Sequence, residues 1–361
     1  MQNNTGLLLK FFGELGDVCR LITIFGFLIF ILGCTDLEDL LLNSNNKTKI
    51  SMILDSDTNN ELDDQHAIAY ILANRDFFQL KGITVNKTTF GGTIDDQVLE
   101  AERVLKLCAA NSIGVFKGAA GNYQQIKDLI AAPEFDGSEA VDFIIETAKA
   151  DDMEKLVILA VGKLTNIALA LLKEPVIAAN LRVVWLGSNY PFPGEYNLAN
   201  DTFAVNAVLQ SDVEFEIVTV REGKSTGTAN VVVYTEDIKD KLSGKGPQLI
   251  NPVKGRNGKL FSNFGDYSVS LFELFPGAGS PPGRSFFDVA AVATLKKPRW
   301  AEKVEISAPR LSEDRKWTEQ PDNPRKIVYW ENFEKDYIKQ DFFTSMEEFV
   351  LEKSETTNAK L

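Results

Sequence analysis

Residues 50–72 read ISMILDSDTNNELDDQHAIAYIL, and this stretch decides the fold. Ile50–Leu54 is apolar and β-rich, the signature of a strand buried on both faces. From Asp63 to Asn74 the spacing places Ala67, Ile68, Ile71 and Leu72 on one face of a helix. Between strand and helix stand five carboxylates within ten residues: Asp55, Asp57, Glu61, Asp63 and Asp64. The same alternation continues outward. Further β-rich runs are Gln79–Val85, Gly114–Lys117, Leu156–Val161, Leu181–Leu186 and Glu214–Val220. Helical spacing recurs in Ile94–Ala110, Ser138–Ala150, Leu164–Lys173 and Asp201–Gln210. The pattern predicts an α/β fold, a mostly parallel central sheet flanked by helices with a Rossmann-like core. Order weakens after about Val233: Lys241–Lys259 is rich in Gly and Pro, and Pro276–Gly283 is a loop. Helices are expected over Leu260–Phe275 and from about Phe287, and Pro298–Leu361 mixes both kinds of element.

Composition narrows the chemistry. The 361 residues carry 38 Lys+Arg against 51 Asp+Glu, a net charge of −13, which excludes nonspecific nucleic-acid binding. With 44% hydrophobic residues the chain is globular. Three cysteines do not form a dense disulfide framework, and Cys108 reads as a buried small hydrophobe. One histidine excludes a multi-histidine metal site and leaves carboxylates as the main titratable groups.

The N-terminus reads as an address. Leu21–Leu32 is an uncharged run of twelve, too short for a comfortable membrane span and suited to a signal peptide. Gly33-Cys34 after it resembles a bacterial lipoprotein cleavage site, with Cys34 as the lipidated residue. The expected organisation is a signal segment at 1–34, a linker at 35–48, one α/β domain at 49–350 and a polar tail at 351–361. Export to a bacterial cell envelope follows, as a periplasmic or outer-membrane lipoprotein held to the membrane only by this anchor.

So many like charges need a cation or retained protons. A hard cation with oxygen ligands is the simplest solution, and Ca²⁺ suits flexible carboxylate sites better than Mg²⁺. Capping by Asp63 or Asp64 explains one acid but not Asp55 and Asp57. An EF-hand loop starting at Asp55 fails, because Asn60 and His66 stand where Gly and Glu are required. Asp55-x-Asp57 also matches phosphatases of the haloacid-dehalogenase type, with Lys163 as their lysine, but their later acidic pair is missing.

The chain resembles the calcium-dependent nucleoside hydrolases, the inosine-uridine preferring family, in a lipoprotein-like subgroup with an Asn-Asn-Glu turn. Four motifs in order carry the likeness: Asp55-x-Asp57 with Asp63-Asp64, VILAVGKLTNIALALL at 157–172, Leu186–Asn189 with Glu195-Tyr196-Asn197, and Phe286-Phe287-Asp288. The resemblance implies a nucleoside-hydrolase-like fold and hydrolysis of ribonucleosides to ribose and free base. It implies a Ca²⁺-bound water activated by Asp57, with Asp57, Asp64, the carbonyl of Thr165 and Asp288 as metal ligands. Asp63, Asn86, Asn189, Glu195 and Asn197 would bind the sugar, although Gly91-Gly92 matches the place of Asn86 equally well. Tyr190, Phe192 and Phe287 are candidates for stacking on the base. Phe287 stands where many members have a histidine, and His66 reads as a partly buried helix residue. A homodimer or homotetramer is implied. Two other functions fit the same residues: a noncatalytic calcium-dependent nucleoside or sugar binder, and a DxD phosphatase.

Overall fold

In the computed structural model, residues 49–150 and 154–350 are described. The segments 1–34 and 35–48, with Cys34, and the tail 351–361 lie outside the described residues. The elements run β1 (Ile50–Ser56), α1 (Asp63–Ala73), β2 (Phe78–Val85), α2 (Ile94–Leu107), β3 (Gly114–Lys117), α3 (Tyr123–Ile126), α4 (Ser138–Lys149), β4 (Leu156–Ala160), α5 (Thr165–Lys173), β5 (Leu181–Leu186), α6 (Tyr196–Asn200), α7 (Thr202–Gln210) and β6 (Glu214–Val218). After them come β7 (Val232–Tyr234), α8 (Thr235–Leu242), β8 (Val253–Lys254), β9 (Leu260–Phe261), α9 (Phe264–Leu274), β10 (Gly283–Ser285), α10 (Phe287–Lys296), β11 (Glu302–Ser307), β12 (Arg310–Leu311), β13 (Trp317–Thr318), β14 (Lys326–Glu331) and α11 (Lys335–Glu348).

Eight strands form the central sheet in the order β11-β14-β6-β5-β4-β1-β2-β3. All neighbours are parallel except the edge pair β11 and β14. The period-2 alternation of strands divides the core between two faces. Met52 and Leu54 join one apolar cluster while Ile53 joins the other. Val184 and Val183 separate in the same way. The inner strands β1, β4 and β5 are therefore covered on both sides, which is why they read as unbroken apolar runs.

The expected elements all form, with ends moved by up to a few residues. The helix expected from Leu260 starts at Phe264, because Leu260–Phe261 pairs with Val253–Lys254 instead. The C-terminal region supplies what periodicity did not show. Lys326–Glu331 inserts beside β6 in parallel and extends the sheet.

The chain runs from β1 to β2 and β3 on one side, then returns to place β4 on the other side of β1. This reversal creates a crevice at the carboxyl ends of β1 and β4, where ligands bind in open α/β sheets.

Candidate active site

The β1 strand carries Asp55 and Asp57 out to this crevice, and the two have different fates. Asp55 is fully buried beneath it. Its carboxyl accepts hydrogen bonds from Thr84 Oγ1 at 2.6 Å, Asn86 Nδ2 at 2.8 Å and Asn166 Nδ2 at 2.7 Å. Asp55 thus ties β1, β2 and α5 together. Asp57 lines the cleft and accepts a hydrogen bond from the Thr88 hydroxyl.

Asp63 and Asp64 open α1, yet neither caps it. The N-cap position is Leu62, with no side-chain capping bond. Asp288 opens α10, where the N-cap is Phe286, again without a capping bond. Three buried carboxylates are thus left free of capping duty at two helix N-termini. Asp63, Asp64 and Asp288 each present an oxygen within 4.8 Å of the others. The Asp288 amide donates to Asp63 Oδ2 at 3.4 Å, and Ser56 Oγ donates to Asp64 Oδ1 at 2.6 Å.

Burial dominates the electrostatics. It pushes Asp57 up to about 6 and, with the Glu61 charge, Asp63 up to about 7. Asp64 and Asp288 are raised well above the usual range by burial first, then by the neighbouring aspartates. An all-oxygen set of this kind fits a hard divalent cation, which would replace the protons that the set otherwise retains.

Glu195 and Asn197 enter from the loop after β5. Glu195 has φ +130°, a left-handed conformation that a side-chain-bearing residue rarely adopts, and it follows Gly194 at +76°. Its carboxylate accepts the amides of Ser188, Asn197 and Leu198 at 2.8–2.9 Å. Burial nevertheless pushes its pKa up to about 7. Asn197 Nδ2 donates to the carbonyls of Val161 and Leu186, which fixes the amide plane.

One cleft of about 260 Å³ gathers Asp57, Asp63, Asp64, Glu195, Asn197 and Asp288. Three expected residues are placed elsewhere. Thr165 does not line the cleft: it is the first residue of α5, its hydroxyl donates to Asp201, and its carbonyl runs into the helix. Val161, just after β4, lines the cleft where Thr165 does not. Asn189 lies outside the lining, with its side chain accepting the Glu222 amide at 3.1 Å. Asn86 also lies outside it, although its buried Oδ1 has no partner. A Cβ on Gly162 would sit 2.9 Å from that atom and 3.0 Å from Asp57 Oδ1, so Asn86 stands behind Asp57.

Of the aromatic residues, Phe287 lines the cleft. Tyr190 packs on Trp317 and Tyr329, and Phe192 lies under Lys224, so neither takes part. Phe90 and Tyr196 supply the wall that sequence reasoning missed. Their rings stack at 6.0 Å and 9°, and the Phe90 amide donates to the Tyr196 hydroxyl at 3.1 Å. Tyr196 was legible through its neighbours Glu195 and Asn197; Phe90 gave no signal. Glu61 and Glu222 complete the lining. Arg256 holds the loop carrying Glu61 by donating to the carbonyls of Asn59 and Glu61, and Arg284 pairs with the Glu61 carboxylate.

His66 is fully buried, more than the sequence implied, between the Leu62 carbonyl and Ser268 Oγ. Lys163 points away from the cleft to the Gly121 carbonyl at 2.6 Å. With Asp55 buried and Lys163 turned away, the phosphatase arrangement is not assembled.

The profile of the inosine-uridine preferring nucleoside hydrolases matches residues 52–330. A pyrimidine-specific ribonucleoside hydrolase, RihB of Shigella flexneri, is 28% identical over 153 residues, 40% of this chain and 44% of that protein. A non-specific ribonucleoside hydrolase, RihC of Salmonella paratyphi A, is 28% identical over 151 residues, 40% of this chain and 42% of that one. The matched segments thus span about half the length of these relatives or less. Among solved structures, a plant nucleoside hydrolase superposes with a TM-score of 0.65 at 16% identity, covering 83% of this chain and 99% of its own. A purine-preferring ribonucleoside hydrolase from Gardnerella vaginalis gives 0.63 at 22% identity, covering 82% and 98%. At these identities the structures establish the shared fold. With the profile spanning the sheet from β1 to β14, the chain belongs to the inosine-uridine preferring nucleoside hydrolase family.

Proposed function

We propose that the protein hydrolyses the N-glycosidic bond of ribonucleosides, giving ribose and free base. The observation that carries this is the convergence of Asp57, Asp63, Asp64 and Asp288 with Glu195 and Asn197 in one cleft. Such bonds break through an oxocarbenium-like transition state, which carboxylates stabilise electrostatically.

Asp64 and Asp288, with Asp57 and Asp63 beside them, would hold Ca²⁺, and the Val161 main chain in the same lining could add a carbonyl oxygen. A cation there polarises water and gathers ribose hydroxyls. Asp57, pushed up to about 6, accepts the proton of the attacking water. Asp63, Glu195 and Asn197 hold the sugar hydroxyls, which favours ribosides over deoxyribosides. The strained Glu195 backbone is kept in place by three amide hydrogen bonds, so the carboxylate is oriented before substrate arrives.

The test is release of free ribose and free base from purine and pyrimidine ribonucleosides, with and without a calcium chelator. Chelator-sensitive release of both products supports the reading. A folded protein that releases neither from any nucleoside refutes it, and leaves ligand-dependent melting as the mark of a binder. We also infer export and lipidation at Cys34 from the run Leu21–Leu32 and Gly33-Cys34. Retention of a Cys34→Ser variant in the membrane fraction would count against lipidation.

A further inference from the structure

Departure of an ordinary base is eased by a proton, and the cleft offers few groups to supply one. Phe287 has none to give. Glu195 accepts three amide hydrogen bonds, which favour its ionised, proton-accepting form. His66, on α1, is buried outside the lining and bonded to Leu62 and Ser268. The Tyr196 hydroxyl accepts the Phe90 amide at the edge of the ring stack and keeps its own phenolic proton. Every charged side chain lining the cleft is a carboxylate, and no lysine, arginine or histidine lines it among the described residues. Glu61 is paired with Arg284, whereas Glu222 is exposed and without an ion-pair partner among the described residues. Three aromatic rings, Phe90, Tyr196 and Phe287, share the space with these acids.

We infer that the cleft is suited to N-ribosides whose ring already bears positive charge, an N-ribosylpyridinium or an N7-alkylated purine riboside, held by the Phe90–Tyr196 stack and the Glu222 carboxylate. This rests on the hydrolase reading and names its substrate class. Aromatic faces attract a cationic ring, and a carboxylate adds to that attraction. Such a leaving group needs none of the cationic proton donors that the lining lacks. Heterolysis of the C1′–N bond sends its electron pair to the ring nitrogen, which leaves neutral without protonation. Water forms the new C1′–O bond and gives up one proton, first to Asp57 and then to solvent. The products are ribose, a neutral heterocycle and one proton.

The experiment compares the purified full chain, with calcium, on N-ribosylnicotinamide and N7-methylguanosine against uridine and inosine. Ribose release is corrected for the uncatalysed rate. The expected result is a kcat/KM for the cationic ribosides at least about tenfold higher, with a lower KM. Cationic ribosides are intrinsically labile, so recognition is read from variants. Glu222→Gln and Phe90→Ala are each expected to lower the cationic-to-neutral ratio of kcat/KM by about three- to tenfold. Equal or better turnover of uridine or inosine overturns the inference and leaves the hydrolase reading standing. A ratio unchanged in both variants also overturns it, because lability alone then explains the preference. No ribose from any of the four substrates brings down the hydrolase reading, and the inference with it.

Discussion

Withdrawing the proposed calcium from this site is expected to reverse the pH dependence of stability usual for acidic side chains. A surface carboxylate in an ion pair has a lowered pKa and stabilises the fold as pH rises. The cleft carboxylates are shifted the other way: burial holds Asp57 at about 6 and Asp63 at about 7, against 3.8 in a solvated chain. Between about pH 4 and 7 the metal-free folded protein retains protons that the unfolded chain has released. The native state binds more protons, so stability falls as pH rises. What these groups contribute is complete below about pH 4 and is lost as pH passes through 6 and 7. Asp63 alone accounts for about 2 kcal/mol between pH 5 and 7, from the difference between its folded and unfolded titration curves. At the usual dependence of melting temperature on stability that is roughly 5 °C. The assay is thermal unfolding of chelator-treated protein at pH 5, 6 and 7, with a calcium-saturated sample as control. The chain's overall negative charge acts in the same direction, and the control carries the same surface. Calcium competes with protons for these oxygens, so its stabilising effect must grow with pH. The gap in melting temperature between loaded and chelated protein is expected to widen by roughly 5 °C from pH 5 to 7. A gap independent of pH, or chelated protein more stable at pH 7 than at pH 5, refutes the assignment of a cation to these acids.

Three substitutions probe the cleft and its support. Asp57→Asn is expected to reduce ribose release by about 10³-fold, the scale of general-base catalysis, with unfolding still cooperative; near-normal turnover would show that another group takes the proton. Gly162→Ala places a methyl 2.7 Å from Asn86 Nδ2 and 3.0 Å from Asp57 Oδ1. It should cost about 1–3 kcal/mol in stability and depress kcat more than it raises KM, which steady-state kinetics with calorimetry will show. Lys163→Met removes the donor to the carbonyls of Gly121 and Ala120 and to Asn122 Oδ1. The buried ammonium, held down to about 8 by desolvation, makes the lysine costly in itself, so the net loss is about 1–3 kcal/mol in chemical denaturation. A selective loss of kcat with unchanged stability would instead place Lys163 in the chemistry.

How much of the site can be read from sequence depends on whether a role belongs to a side chain or to the place where the backbone carries it. The strand, acids and helix of residues 50–72 were legible because the apolar run, the carboxylates and the helical spacing are all local. Glu195 and Asn197 were legible because adjacent polar groups between two apolar elements are informative by type. The main-chain segment that lines the cleft was not. Val161 and Thr165 lie in one motif four residues apart, and only the fold shows that a residue ending a strand faces the crevice while one opening a helix has given its carbonyl to the helix. The loop clamp was hidden for a related reason. Arg256 and Arg284 come from the Gly/Pro-rich region where periodicity fails, and they reach Asn59 and Glu61 across roughly 200 residues of chain. Phe90 is a single exposed aromatic in a loop, indistinguishable in sequence from any other until Tyr196 is brought beneath it. The parts that bear on catalysis were therefore readable as residue types. The parts that bear on what enters the cleft, Phe90, Glu222 and the clamped loop, arise from contacts between distant segments, and there substrate preference can change without altering any of the four motifs.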